Sequence, residues 1–182
     1  MAIFIIVIMV SSVIGFVSLD KKNNTQNYDY DGYTFNLDAN GKYFVNINDK
    51  TFIFDYPPGD LSSITLPNFN LGNSKYYILI NFLEKDENMD YSLNKLEYNL
   101  NTAGIRPVLS CINEEGCPSD VPIKDCSEDS FYFTKGNTSR IYLKDKCIVI
   151  EGSSTEMVKL VDKIDLKVAG IEWIIQEESE FL

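Results

Sequence analysis

Histidine is absent from the 182 residues. That removes the serine and cysteine hydrolases that pass a proton to imidazole, the His-ligated zinc peptidases, and any mixed Cys/His metal site. Neither a Gly-x-Gly-x-x-Gly stretch nor a P-loop sequence occurs, so nucleotide-dependent chemistry lacks its usual phosphate-binding handles. Basic charge is scarce as well. With 16 Lys and Arg against 27 Asp and Glu, the net charge is −11. This argues against nucleic acid or an anionic membrane surface as the main partner, because either needs a basic face to neutralise phosphates. No cofactor is expected.

Charge of either sign is missing from residues 2–19, which are dominated by Ile, Val, Phe and Met. At about 1.5 Å per residue such a run spans a bilayer core at the short end of the usual range. Residues 1–20 are therefore read as a transmembrane anchor or signal segment. The uncleaved anchor is favoured over a cleaved signal, because Val13-Ile14-Gly15 is only a passable signal-peptidase site. Residues 21–27 are a polar, Asn-rich tether, and residues 28–182 one domain. Lys21 and Lys22, with no basic side chain ahead of the span, would hold that domain in the cytoplasm. An even, clustered set of cysteines and two Asn-x-Ser/Thr acceptors, Asn23 with Thr25 and Asn137 with Ser139, point outside. The cysteines weigh more than two lysines, so the expectation is a single-pass membrane protein with its domain outside the cytoplasm.

What is present begins with those cysteines. Cys111, Cys117, Cys126 and Cys147 are separated by 5, 8 and 20 residues, neither a zinc-type pair nor a redox C-x-x-C, and two disulfides suit the spacing better than a metal. Four cysteines allow three pairings. A two-residue Gly136-Asn137 turn between arms at residues 125–134 and 138–150 would oppose Cys126 to Cys147, leaving Cys111 to close the acidic loop with Cys117. A competing turn at Lys144-Asp145 would give a three-stranded meander in which that opposition is lost, so the connectivity stays open.

Ahead of the cysteines, residues 33–37, 43–47 and 51–54 alternate apolar and polar side chains, punctuated by Asn40-Gly41 and Asn48-Asp49. The turns oppose Leu37 to Tyr43, Phe35 to Val45, Tyr33 to Ile47, Val45 to Phe52 and Tyr43 to Phe54, one apolar face across an antiparallel meander. Residues 75–81 read as a strand buried on both faces. A helix over residues 91–103 follows, with Asn88 or Asp90 as N-cap and Gly104 as its stop, then a strand over 105–110: a strand-helix-strand unit. The last helix, from Ser154 to about Trp173, sets Met157, Leu160, Val161, Ile164, Val168 and Ile171 opposite Lys159, Asp162, Lys163 and Lys167. The fold class is α+β: N-terminal transmembrane helix, antiparallel β-meander, strand-helix-strand unit, and a disulfide-stapled β-hairpin or meander covered by a C-terminal amphipathic helix.

An uncharged N-terminal span, the opening Tyr30-Asp31-Gly32-Tyr33-Thr34-Phe35, a meander closing at Phe54-Asp55-Tyr56-Pro57, a cysteine cluster, and Cys147-Ile148-Val149-Ile150-Glu151-Gly152 leading into a helix closed by Gly170-Ile171 form a layout. It resembles that of small single-anchor envelope proteins encoded in archaeal genomes. The resemblance implies a location and a layout; it carries over no activity and no functional residue.

Candidate chemistry is sparse. Asn27, Asp29, Asp31 and Asp38, with Gly32, imitate the ligand positions of a calcium loop. A solvated turn before the first strand is the reading preferred, because position 12 calls for Glu and no helix flanks the loop. Glu114 and Glu115 fall in the acidic loop between Cys111 and Cys117. No catalytic or cofactor-binding residue is singled out. Two classes remain: a non-catalytic, membrane-tethered binding or structural module of the envelope with a protein or glycan partner, and an extracytoplasmic enzyme using paired carboxylates in the glycosidase manner. The first predicts exposed aromatics in one patch; the second predicts a pocket with two acidic groups of perturbed pKa. The first is preferred, since no catalytic motif is present.

Overall fold

The structure, a computed structural model, describes residues 27–171. The expected span over residues 2–19, the tether up to residue 26 and everything beyond Ile171 lie outside the described residues. Two left-handed residues in succession, Asn48 (φ 50°) and Asp49 (φ 62°), join β3 (Tyr43–Ile47) to β4 (Lys50–Phe54). This is the backbone that lets a two-residue hairpin follow the natural strand twist. Gly41 (φ 78°) turns β2 (Tyr33–Leu37) into β3, with the Asp38 carboxylate accepting from the Asn40 and Lys42 amides at 2.9 and 2.8 Å. The registers Leu37 to Tyr43, Val45 to Phe52 and Tyr43 to Phe54 are those expected, and Phe35, Val45, Phe52 and Phe54 are buried on one face.

The meander has a fourth strand that the sequence reading passed over. Asn27–Tyr30 forms β1, paired to β2 through a turn at Asp31 (φ 48°) and Gly32 (φ 78°). Asn27, assigned to the tether, starts this strand. The signal was available: Asp-Gly between alternating aromatics is a strong hairpin cue.

The second sheet has the order β6-β5-β7-β9-β8. β5 (Lys75–Ile80) and β6 (Arg106–Cys111) are parallel neighbours joined by α1 (Glu87–Ala103), as the strand-helix-strand reading required. The helix starts at Glu87 rather than Tyr91, because the Asp86 carboxylate caps the Met89 amide and begins it a turn early. Gly104 (φ 91°) closes it as expected.

Of the two arrangements open after the cysteine cluster, the hairpin at Gly136-Asn137 is corrected, and the competing turn near Lys144-Asp145 is found in part, as an antiparallel pair of residues 140–144 with 147–151. β7 (Ser130–Lys135) runs parallel to β9 (Cys147–Gly152), which lies between β7 and β8 (Arg140–Lys144). β8 and β9 are joined by a tight turn at Asp145 (φ 52°) and Lys146, and no hairpin turn sits at Gly136-Asn137. Burial explains the order. Cys147 to Ile150 are buried on both faces and need an interior position, whereas β8 carries Arg140, Leu143 and Lys144 to solvent and takes the edge. The disulfides pair Cys111 with Cys117 and Cys126 with Cys147, Cα to Cα 5.9 and 5.0 Å. Cys126 reaches Cys147 from the loop ahead of β7 rather than from a paired arm.

α1 and α2 (Ser154–Val168) pack along one another, α2 lies against β9, and β4 of the meander touches both helices. The helices are thus sandwiched between two sheets. Asp162 and Lys163, expected on a solvent face, are 0% and 3% exposed, while Lys159 and Lys167 remain half-buried. A helix enclosed by layers on both sides is buried nearly all round, whatever its amphipathic pattern suggests. The link between meander and β5 contributes a 3-10 turn, Pro58–Leu61, that places Leu61 in the core, and Phe69 follows it there.

Candidate functional site

Two groups of residues invite a functional reading, one sealed and one open. The sealed group starts from a backbone need. β4 is the edge of the meander, so its outward N–H and C=O groups have no neighbouring strand. Helix side chains take the strand's place. Asn99 of α1 accepts from the Ile53 amide (3.1 Å) and donates to the Ile53 carbonyl (2.9 Å). Asp162 of α2 accepts from the Asp55 and Tyr56 amides through Oδ2, both at 2.9 Å. The second Asp162 oxygen pairs with the Lys95 ammonium at 2.6 Å, and Lys95 also reaches Asp55 at 2.7 Å and the Val158 carbonyl at 3.1 Å. Asn99 gives its remaining hydrogen to Asp165 Oδ2 at 2.8 Å. At the rim, Lys42 pairs with Asp55, whose carboxylate also accepts from the Tyr91 hydroxyl.

Three acidic groups thus surround one buried ammonium. Burial raises the Asp162 pKa to about 6, with Lys95 pulling the other way, and burial lifts Asp165 well above the ordinary carboxylate range. Burial alone would lower Lys95, but the Asp162, Asp165 and Asp55 carboxylates outweigh it and hold the ammonium charged. For Asp55, burial is outweighed by Lys95, Lys42 and Tyr91, so its carboxyl sits below the usual range. Asp165 Oδ1 finds no hydrogen-bond partner among the described residues.

A pH dependence follows. For Asp162 and Asp165 the folded pKa exceeds the unfolded one, so the folded state binds more protons; the stability Asp162 provides is lost as pH rises through about 6, and that of Asp165 is likewise lost with rising pH. Asp55, and Asp86 beside Lys135, have folded values below the unfolded one, so their contribution is lost on acidification. Lys163, lowered to about 8 by burial, favours folding only as pH rises past that value. Thermal unfolding across the pH range is therefore expected to show greatest stability on the acid side of neutral, between about pH 4 and 6. A midpoint that climbs steadily from pH 5 to pH 7.5 would contradict this assignment.

Chemically the cluster is closed, since Asp162 and Asp165 are both 0% exposed. A cavity of about 340 Å³ elsewhere is lined by Ser63, Thr65, Ser139, Arg140, Glu156 and Lys159 among others, and offers a single carboxylate. The calcium candidates do not converge: Asp31 lies in the β1–β2 turn and Asp38 past the other end of β2, about 17 Å from that turn at roughly 3.4 Å per residue, while Asn27, opposite Asn36, lies toward the Asp38 end and Asp29 between the two. Asp29 accepts from the Thr34 hydroxyl, and Asp38 is occupied with its own turn. Among the described residues no group of three or more Cys, Asp or Glu could hold a metal ion. Glu114 and Glu115 are exposed in the Cys111–Cys117 loop.

The open group lies on the other face of the five-stranded sheet, away from the helices. Leu79, Tyr132, Val149 and Tyr142 align across β5, β7, β9 and β8. Leu79, Cys147 and Val149 form a small second core, covered by Tyr77, Ile112, Cys126, Tyr132 and Tyr142. The tyrosines are half-buried, so this core is roofed by rings that also face water. Cations flank them. Lys75 donates to the Tyr77 hydroxyl at 2.6 Å and lies 4.2 Å from its ring centre, Lys124 lies 4.9 Å from the same ring, and Arg140 lies 4.7 Å from that of Tyr142. Arg140 is held in place by Glu151, whose Oε2 accepts from Nε and Nη2 at 2.9 and 2.7 Å. Lys124 is carried by the segment that the Cys126–Cys147 bridge ties across the sheet, and it pairs with Glu128 at 3.4 Å.

The sequence reading placed none of these residues in a site. Tyr76 and Tyr77 read as one buried run, and Tyr132 and Tyr142 as members of paired arms; only the parallel β7–β9 pairing brings them into one row. No protein-family model matches this chain, and no curated protein or solved structure matches it either. The mixed α+β fold with two disulfides therefore stands on its own geometry.

Proposed function

We propose that the protein is a membrane-tethered, non-catalytic binding module of the cell envelope, facing outward, and that its open tyrosine face meets an acidic glycan. The observation that carries the reading is the tyrosine row itself: Tyr132 and Tyr142 flank buried Val149, with Tyr77 beside them. Rigid rings offer contact area at low entropic cost and stack on the apolar faces of sugars. Charge supports the sign of the partner. Lys75, Lys124, Arg140 and Lys144 stand on or beside this face against Glu151, Glu128 and Asp125, a small local excess of positive charge on a chain of net charge −11. The two disulfides suit an oxidising compartment, and the uncharged residues 2–19 are the proposed anchor. Against the alternative of an enzyme with paired carboxylates stands the burial of Asp162 and Asp165, the two acidic side chains most displaced toward the protonated form among the described residues.

The test uses the full-length chain in detergent, applied to an immobilised polyuronate and to a neutral glucan. Retention on the polyuronate is expected to fall at least tenfold, about 1.4 kcal/mol, when Tyr132 and Tyr142 are both replaced by alanine, with the neutral glucan retaining neither form. Equal retention of parent and variant, at matched thermal midpoints, would remove this face as the binding surface.

A further inference from the structure

Asn137 belongs to neither group and lies in an exposed link. Residues 136–139 link β7 to β8 past the end of β9, which lies between those strands, so the link does not close a paired hairpin. Asn137, Thr138, Ser139 and Arg140 are exposed in succession. The link is pinned at one end by the Gly136 amide on the Gly152 carbonyl at 3.1 Å, and Arg140 at the other end is tied to Glu151. Between these anchors no hydrogen bond of the Asn137 side chain is found among the described residues. Ser139 supplies the hydroxyl two residues on that completes an Asn-x-Ser acceptor. Gly152, with no side chain, leaves space for it: a Cβ there would come within 3.3 Å of the Ser139 Oγ. The two disulfides suit the compartment in which asparagine is glycosylated.

We infer that Asn137 is an N-glycosylation site, taking an oligosaccharide from a lipid-linked phosphate donor. The Asn137 Nδ2 attacks the anomeric carbon of the first sugar. A C–N bond forms as the C–O bond to the lipid phosphate breaks, the amide loses one proton to a base, and the lipid phosphate departs with the bonding electron pair; no oxidation occurs. The inference rests on the outward placement of the domain and not on the tyrosine face.

The experiment takes the full-length protein from membranes of the cells that encode it. Lys135 and Arg140 bracket the acceptor, so trypsin releases residues 136–140 as a single peptide. Expected is loss of at least half of the unmodified peptide, replaced by one carrying sugar fragments on Asn137 in tandem mass spectrometry. Ser139→Ala should restore the unmodified peptide, Ser139→Thr should keep the glycan, and Asn137→Gln should abolish it. Full recovery of unmodified peptide from the native protein overturns the inference, as does sugar that survives Asn137→Gln. The same digest, run without reduction, separates this failure from failure of the placement. Oxidised Cys126–Cys147 with bare Asn137 refutes only the modification; free thiols refute the compartment as well.

Discussion

Lys95→Met is expected to destabilise the protein by about 3–5 kcal/mol at pH 7, because it strips the cation from a buried ion cluster and leaves the acids behind. The side chain is 4% exposed, and its ammonium touches Asp162 and Asp55 at 2.6 and 2.7 Å while also stabilising Asp165. Methionine fills nearly the same volume, so the loss is electrostatic rather than a cavity. The acids carry the diagnosis. As pH falls toward 5, Asp162 takes up a proton and needs the cation less. The gap between parent and variant should therefore narrow from pH 7 to pH 5, as read by denaturant unfolding at both values. A gap under about 1 kcal/mol at pH 7 would mean that the cluster contributes nothing net, as some buried ion pairs do.

Val45→Asp is expected to cost a comparable several kcal/mol, by a different mechanism. Val45 is 1% exposed, opposite Phe52 and on the face that buries Phe35 and Phe54 against the helices. No cation among the partners described there can pair with the new carboxylate. The variant should unfold at markedly lower denaturant concentration, whereas Asn46→Asp, one residue on and facing solvent beside Thr51, should change stability by about 0.5 kcal/mol or less. Equal effects at the two positions would mean that the side-chain alternation of β3 is out of step. The pair of substitutions reads the register directly, since a one-residue slip exchanges the two faces.

Where local chemistry decides the outcome, the chain is readable residue by residue. Asn48-Asp49 and Asn40-Gly41 specify left-handed turns, and these set the register of three strands without reference to the rest of the molecule. Gly104 stops α1 for the same reason. The disulfide pairs also match the reading that opposed Cys126 to Cys147, although the strands that bring them together are different. β1 and the early start of α1 were legible in principle, from Asp31-Gly32 and from the Asp86 cap, but other patterns competed for those residues.

The amino-acid sequence by itself determined the three central strands of the meander and their turns, the strand-helix-strand unit, the disulfide-compatible cysteine set and the exclusion of imidazole chemistry. Each of these depends on residues a few positions apart, or on composition alone. Only the tertiary structure decided that β9 lies between β7 and β8, that α2 is enclosed on both sides, and that Asn99 and Asp162 serve the unpaired edge of β4 and the two residues after it, with Asp165 bonded to Asn99 and Lys95 to Asp162. It likewise decided that Tyr77, Tyr132 and Tyr142 share one open face. The reason is physical: an amphipathic pattern records which side of an element is apolar, but a charged side chain tolerates burial only where distant partners satisfy it. Asp162 meets the Asp55 and Tyr56 amides more than a hundred positions away, and that pairing exists only once both layers have closed on the helices.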